Sequence, residues 1–161
     1  MRFIAVMEKE SDFQPQKHNL GCGIACTAYA AGVSYDDGLH AFKNTSQVII
    51  RGVFCREIVS ALANLGYRYK HLYNKCNIIQ YKDLPNGSIA YMPKTQKYPF
   101  GHFIYKEQNI WVDPWRNYHV GAKISNARAG YRYRMSGQPQ YIIIPINRVS
   151  EIQDLMRINR T

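Results

Sequence analysis

The residues of this chain best equipped for chemistry are a thiol, an imidazole and a carboxylate: Cys22, His102 and Asp113. In the stretch "QKHNLGCGIACTAYAAG", residues 16–32, Cys22 stands between Gly21 and Gly23 where an Ala-rich helix begins. A thiol becomes an effective nucleophile when its pKa falls to roughly 3.5–7.5, and a helix N-terminus and a neighbouring imidazolium each lower it. The unsatisfied N–H groups of that helix end can also hold the oxyanion formed when the thiolate attacks a carbonyl. The flanking glycines then read as an opening, leaving the sulfur uncovered and letting a substrate backbone approach.

A nucleophile of this kind needs a base, and His18, His40, His71, His102 and His119 compete for the role. Strand pairing selects among them. If "GHFIY" and "IWVDPW" form a hairpin around Lys106 to Asn109, Tyr105 faces Ile110 and His102 faces Asp113, close enough for the carboxylate to orient the imidazole. A two-residue turn shifted to Gln108 and Asn109 keeps the two on one face as diagonal neighbours, whereas an odd loop length separates them. Each residue has a plainer reading: a cysteine on an apolar helical stripe packs in the core, a histidine among aromatics is a satisfied half-buried residue, and Asp113 before Pro114 starts a turn. Glycines at the cysteine and a same-face pair together favour chemistry, with Cys22 as nucleophile, His102 as general base and acid, and Asp113 as orienting group.

The elements that must position these groups are legible from periodicity. Cys22, Ala25, Cys26, Tyr29 and Ala30 follow a helical stripe that Gly32 ends. Ser34 with Asp37 gives a capping pattern for a short helix through about Phe42. Ile58, Ala61, Leu62 and Leu65 repeat the stripe before Gly66, which makes three helices in this part of the chain. Beyond it the period becomes that of strands, at "YRYKHLY", "SIAYM", "GHFIY", "NIWVDPW" and "YIIIPI", with a turn at Pro85 to Gly87. Helices first and strands later predict an α+β fold with N-terminal helices packed on an antiparallel sheet. The Arg-, Gly- and Tyr-rich segment 116–139 reads as a mobile loop.

With 161 residues, 46% of them apolar, the chain can bury one sizeable core, so residues 1–161 are expected to form a single domain. No run approaches the roughly 20 apolar residues that cross a bilayer. Residues 1–10, "MRFIAVMEKE", lack the apolar core and cleavage site of a signal peptide. A cytoplasmic protein is the expectation, with delivery out of the cell by a route that needs no cleaved signal left open. Cys22, Cys26, Cys55 and Cys76 then read as free thiols. A metal site built from His18, Cys22, Cys26 and His40 lacks any Cys-x-x-Cys spacing, so no metal or organic cofactor is expected. The net charge of +10 points to an acidic partner, such as nucleic acid, an anionic membrane surface or an acidic protein, or else to a solvated basic face. The excess gathers from about residue 116, where Arg116, Lys123, Arg128, Arg132, Arg134, Arg148, Arg157 and Arg160 outnumber Glu151 and Asp154.

Taken together, "CGIAC" after a glutamine, "GVFCREIVSALANLGYRYKHL", "DLPNGSIAYM", and "GHFIY" followed by "VDPW" resemble the papain-like cysteine peptidases that process bacteriocin precursors after a double-glycine leader. The likeness runs from about Gln16 to Pro114. It implies a papain-like fold and a thiol peptidase acting on a peptide with small residues at the scissile bond. It gives Cys22, His102 and Asp113 the roles above and leaves Cys26 in the core. Gln16, which alone reads as a loop residue beside Pro15, gains the task of holding the oxyanion together with the Cys22 N–H. The chain departs from the pattern in having Gly21 where the family commonly has an acid, in a short hairpin between His102 and Asp113, and in lacking a fused transporter. The last departure favours a stand-alone bacterial or phage peptidase, or a peptidase-like toxin or delivered effector. Alternatives are a deamidase or acyltransferase using the same groups, and a non-catalytic basic module that binds nucleic acid or an acidic protein through residues 116–139.

Overall fold

The computed structural model describes residues 13–158, so the segment 1–10 and Arg160, on which parts of the reading above rest, lie outside the described residues. Helices come first: α1 (Cys22–Ala31), α2 (Tyr35–His40), α3 (Thr45–Arg51) and α4 (Cys55–Asn64). Among the described residues there are four in this part of the chain where periodicity predicted three. Helix α3 escaped because "TSQVIIR" is β-branched and only Val48 of it is buried, so it carries no helical stripe.

Glycine ends the two longer of these helices as expected. Gly32 adopts φ 66° and Gly66 φ 92°. After α1, Val33 N–H donates to the Ala28 carbonyl and Gly32 N–H to that of Tyr29; after α4, Tyr67 pairs with Leu62 and Gly66 with Ala63 in the same manner. The Ser34 hydroxyl caps α2 by accepting from Asp37 N–H at 3.1 Å, and the helix stops at His40.

Six strands follow: β1 (Tyr69–Tyr73), β2 (Ile89–Met92), β3 (His102–Glu107), β4 (Ile110–Asp113), β5 (Gly130–Arg132) and β6 (Tyr141–Pro145). They form one open sheet in the order β1-β6-β2-β3-β4-β5, with every pair antiparallel. The fold is α+β. The N-terminal helices bury Ile24, Ala25, Ile58 and Leu62 against Ile89, Phe103, Tyr105 and Ile143 on one face. A final helix, α5 (Val149–Ile158), lays Val149 and Ile152 on the other face among Ile104, Trp111, Ile142 and Ile144.

Two expectations are corrected here. The β3–β4 register pairs Tyr105 with Val112 and Glu107 with Ile110, not Tyr105 with Ile110. The turn is Gln108–Asn109, whose φ values of 48° and 64° are the left-handed pair that a two-residue hairpin of matching twist requires. Asn109 tolerates that conformation, and its N–H is held by the Asn86 side chain at 2.8 Å. Segment 116–139 is not a loop throughout: it supplies β5 and a single helical turn at Ile124–Asn126. Among the described residues no helix is long and apolar enough to cross a membrane.

Candidate active site

Cys22 is the first residue of α1, and no side chain caps that helix, so its N-terminal N–H groups have no capping side-chain acceptor. The sulfur is half-buried and accepts a long hydrogen bond of 3.5 Å from the Phe103 N–H at the start of β3. Helix α1 thus delivers the thiol to the strand end that carries His102. The imidazole is buried, lies near enough to the Cys22 thiol for the thiol to raise its pKa, and engages Asp113 Oδ1 through Nε2 at 2.6 Å. Because Nε2 is committed to Asp113, the nitrogen left for the sulfur is Nδ1. The diagonal relation across β3 and β4 is therefore close enough to make the dyad.

Asp113 is fully buried and well satisfied. Besides His102, its Oδ1 accepts from Trp115 N–H at 2.9 Å, and its Oδ2 accepts from Arg132 at 3.1 Å. Burial pushes the carboxyl pKa up, but His102, the Trp115 N–H and Arg132 outweigh it and hold the group at about 2. Burial likewise pulls His102 down, and the adjoining carboxylate and thiol override it, so the imidazole sits well above its ordinary value.

Arg132 was counted among the surface cations of the basic region, and here it is a structural part of the site. One guanidinium nitrogen reaches both Asp113 and the Tyr98 hydroxyl, the latter at 3.2 Å. Tyr98 in turn lies flat on the His102 ring, with centroids 4.6 Å apart and planes 10° from parallel. Periodicity gave no signal for either residue, since Arg132 belongs to a three-residue strand and Tyr98 to a connecting loop.

Gln16 lines the same cleft, and its backbone N–H donates to the Pro114 carbonyl at 3.2 Å, stitching the N-terminal segment to the turn after Asp113. Its side chain is differently disposed from the expectation. Nε2 donates to the carbonyls of His18 and Asn19 at 3.0 and 3.1 Å, while Oε1 is buried without a partner. Both N–H bonds are spent on the chain itself.

The glycines also serve the protein more than a substrate. A Cβ on Gly21 would lie 2.2 Å from the Tyr35 hydroxyl, which is paired with His18 Nδ1 at 2.9 Å. That explains why an acidic side chain has no room there. A Cβ on Gly23 would lie 2.2 Å from Val53 and 3.1 Å from Phe103, so this glycine lets α1 press against β3. Cys26, one turn along, is wholly buried, and burial drives its thiol pKa far up. His40 is exposed and bonded to the Asp36 carbonyl, so the four-residue metal set is not assembled. Among the described residues no group of three or more His, Cys, Asp or Glu could hold a metal ion.

The site opens into a cleft of about 840 Å³, lined by residues 51–56 at the junction of α3 and α4 and by Lys94 and Tyr98 to Phe100. Trp115 and Tyr118 line it as well. Comparison of the chain with family models, curated proteins and solved structures finds no match to any of them.

Proposed function

We propose that this chain is a papain-like cysteine hydrolase that cleaves an amide bond. One observation supports it above all: a thiol at an uncapped helix start accepts a hydrogen bond from the backbone N–H of Phe103, the residue next to an imidazole whose Nε2 is bonded to a buried carboxylate. His102 takes the Cys22 proton through Nδ1, and the thiolate attacks the amide carbonyl to form the carbon–sulfur bond. The resulting oxyanion is held by the Cys22 N–H and by Gln16 Nε2, which must first release one of its two backbone carbonyls. As the carbon–nitrogen bond breaks, His102 returns the proton to the leaving amine, and it then activates the water that frees the acyl group and restores the thiol. Asp113 keeps the imidazole oriented and stabilises its charged form.

Hydrolysis, deamidation and transfer differ only in the leaving group and the acceptor. Identifying the released amine therefore separates them. The binding-module alternative loses support because Arg132 is bonded to the buried Asp113, Arg116 is tied to the Tyr131 carbonyl, and Tyr131 is buried in the core.

The test is thiol labelling with iodoacetamide near neutral pH, located by peptide mass. Cys26 is wholly buried and the half-buried Cys55 has its thiol pushed up to about 11 by burial, whereas Cys76 is exposed and sets the reference rate. Cys22 should label fastest, and His102→Ala should bring it down to the rate of Cys76. Labelling of Cys22 no faster than Cys76, and indifferent to His102, would sink the hydrolase reading.

A further inference from the structure

No aspartate or glutamate lies among the described residues lining the cleft, whereas Arg51, Arg56 and Lys94 do. Glu57 neutralises Arg51 through two bonds of 2.9 Å. Arg56 and Lys94 are exposed, and neither has a carboxylate within ion-pair distance among the described residues. The Arg56 guanidinium rests over the Phe54 ring, 5.0 Å from its centroid, at the rim of the cleft. Stacking of this kind fixes the guanidinium plane and leaves its N–H edge to meet a carboxylate in two-pronged fashion.

The cleft also has an aromatic floor. Phe103, Tyr91 and Tyr141 line the cleft, and with Tyr73, which continues the row beyond the lining, they are register partners on four neighbouring strands, with successive ring centroids 5.0, 5.8 and 5.4 Å apart. Phe103 is the residue whose N–H meets the sulfur, and Tyr73 stands on the edge strand β1. The row spans three interstrand spacings, roughly 14 Å, the reach of about four extended residues.

We propose that the substrate is a polypeptide with acidic side chains on the short extended stretch crossing this floor, selected by Arg56 and Lys94. The proposal rests on the amide-hydrolase reading. A nucleic acid fits the same charge less well. The neighbouring rings are inclined to one another by 57°, 58° and 47°, so they offer no parallel faces for successive bases.

The experiment uses the Cys22→Ala protein with two fluorescent peptides of identical length, one carrying glutamates and the other glutamines at the same positions, followed by anisotropy. The glutamate peptide should bind at least about tenfold tighter at low salt, and the difference should shrink to about twofold or less in the double variant Arg56→Glu/Lys94→Glu and at high salt. Both substituted residues are exposed, and circular dichroism confirms that the variant is folded. Equal affinity, including no measurable binding of either peptide, overturns the proposal. So does a single-stranded oligonucleotide that displaces the glutamate peptide at lower concentration than the unlabelled peptide does. Incubating both peptides with unaltered protein separates the two readings. Equal kcat/KM for both defeats the selectivity and leaves the hydrolase intact; selective binding without cleavage or thiol adduct defeats the hydrolase and leaves the selectivity.

Discussion

The two corners of the site that flank Cys22 are finished to different degrees. At the base corner the supporting groups are engaged: Asp113 accepts from His102, Trp115 and Arg132, and Tyr98 is stacked on the imidazole and bonded to the same arginine. At the oxyanion corner Gln16 spends its donors on neighbouring carbonyls and buries an unmatched acceptor. A preorganised group costs nothing to use at the moment of reaction, whereas one that must first break its own bonds loses part of what it contributes. On the hydrolase reading proposed above, proton handling is therefore ready in the resting protein, and oxyanion binding falls mainly to the Cys22 N–H at the helix start.

The contrast can be broken by substitution. Cys22→Ala should abolish amide cleavage, with no residual activity dependent on His102, as measured by release of amine from a cleavable peptide. Asp113→Asn keeps the shape but removes the charge and upsets the imidazole tautomer, and kcat should fall by about 10³–10⁴. Arg132→Ala should lower kcat by about tenfold and move the acid limb of the pH–rate profile upward, because removing a cation raises the Asp113 pKa; Arg132→Lys should recover part of both effects. Gln16→Ala should cost less than about tenfold in kcat, well short of the 10²–10³ expected for a dedicated oxyanion donor. A larger loss at unchanged Tm would show that the glutamine turns into the site when substrate binds.

The base corner also predicts how stability follows pH. Asp113 is depressed on folding, so its contribution is present above the ordinary carboxylate pKa of roughly 4 and is lost as pH falls towards about 2. His102 is raised on folding, so its contribution is complete below roughly 6.5 and fades as pH climbs above that value. The difference in Tm between the unaltered protein and Asp113→Asn should accordingly be greatest between about pH 4 and 6.5 and smaller on either side. A difference that does not vary with pH would mean that the pair is not ionic. Smallest in its bearing on chemistry, Gly23→Ala should destabilise by about 1–3 kcal/mol in denaturant melts, because its methyl group would collide with Val53 where α1 meets β3.

Much of the fold was legible along the chain because its signals are local. Gly32 and Gly66 close their helices, and the five strands anticipated from β-branched and aromatic runs all form. What escaped carries little local pattern: α3 buries only Val48, and β5 is three residues of an Arg- and Tyr-rich tract. The hairpin shows the boundary most clearly. Alternation alone places His102 and Asp113 on one face for either even turn, but the choice of Gln108–Asn109 involves Asn86, a residue far away in sequence.

For the site, residue types and strand alternation were enough to single out Cys22, His102 and Asp113 as partners, since periodicity two is a property of the chain itself. Only the tertiary structure decided that Arg132 anchors the carboxylate, that Tyr98 covers the imidazole, that Gln16 is bonded to its own loop, and that Gly21 and Gly23 make room for Tyr35, Val53 and Phe103. The physical reason is one of range. Helix caps and alternation act over a few residues, whereas the satisfaction of a buried polar atom and the space beside a glycine are set by groups that packing brings together from across the chain.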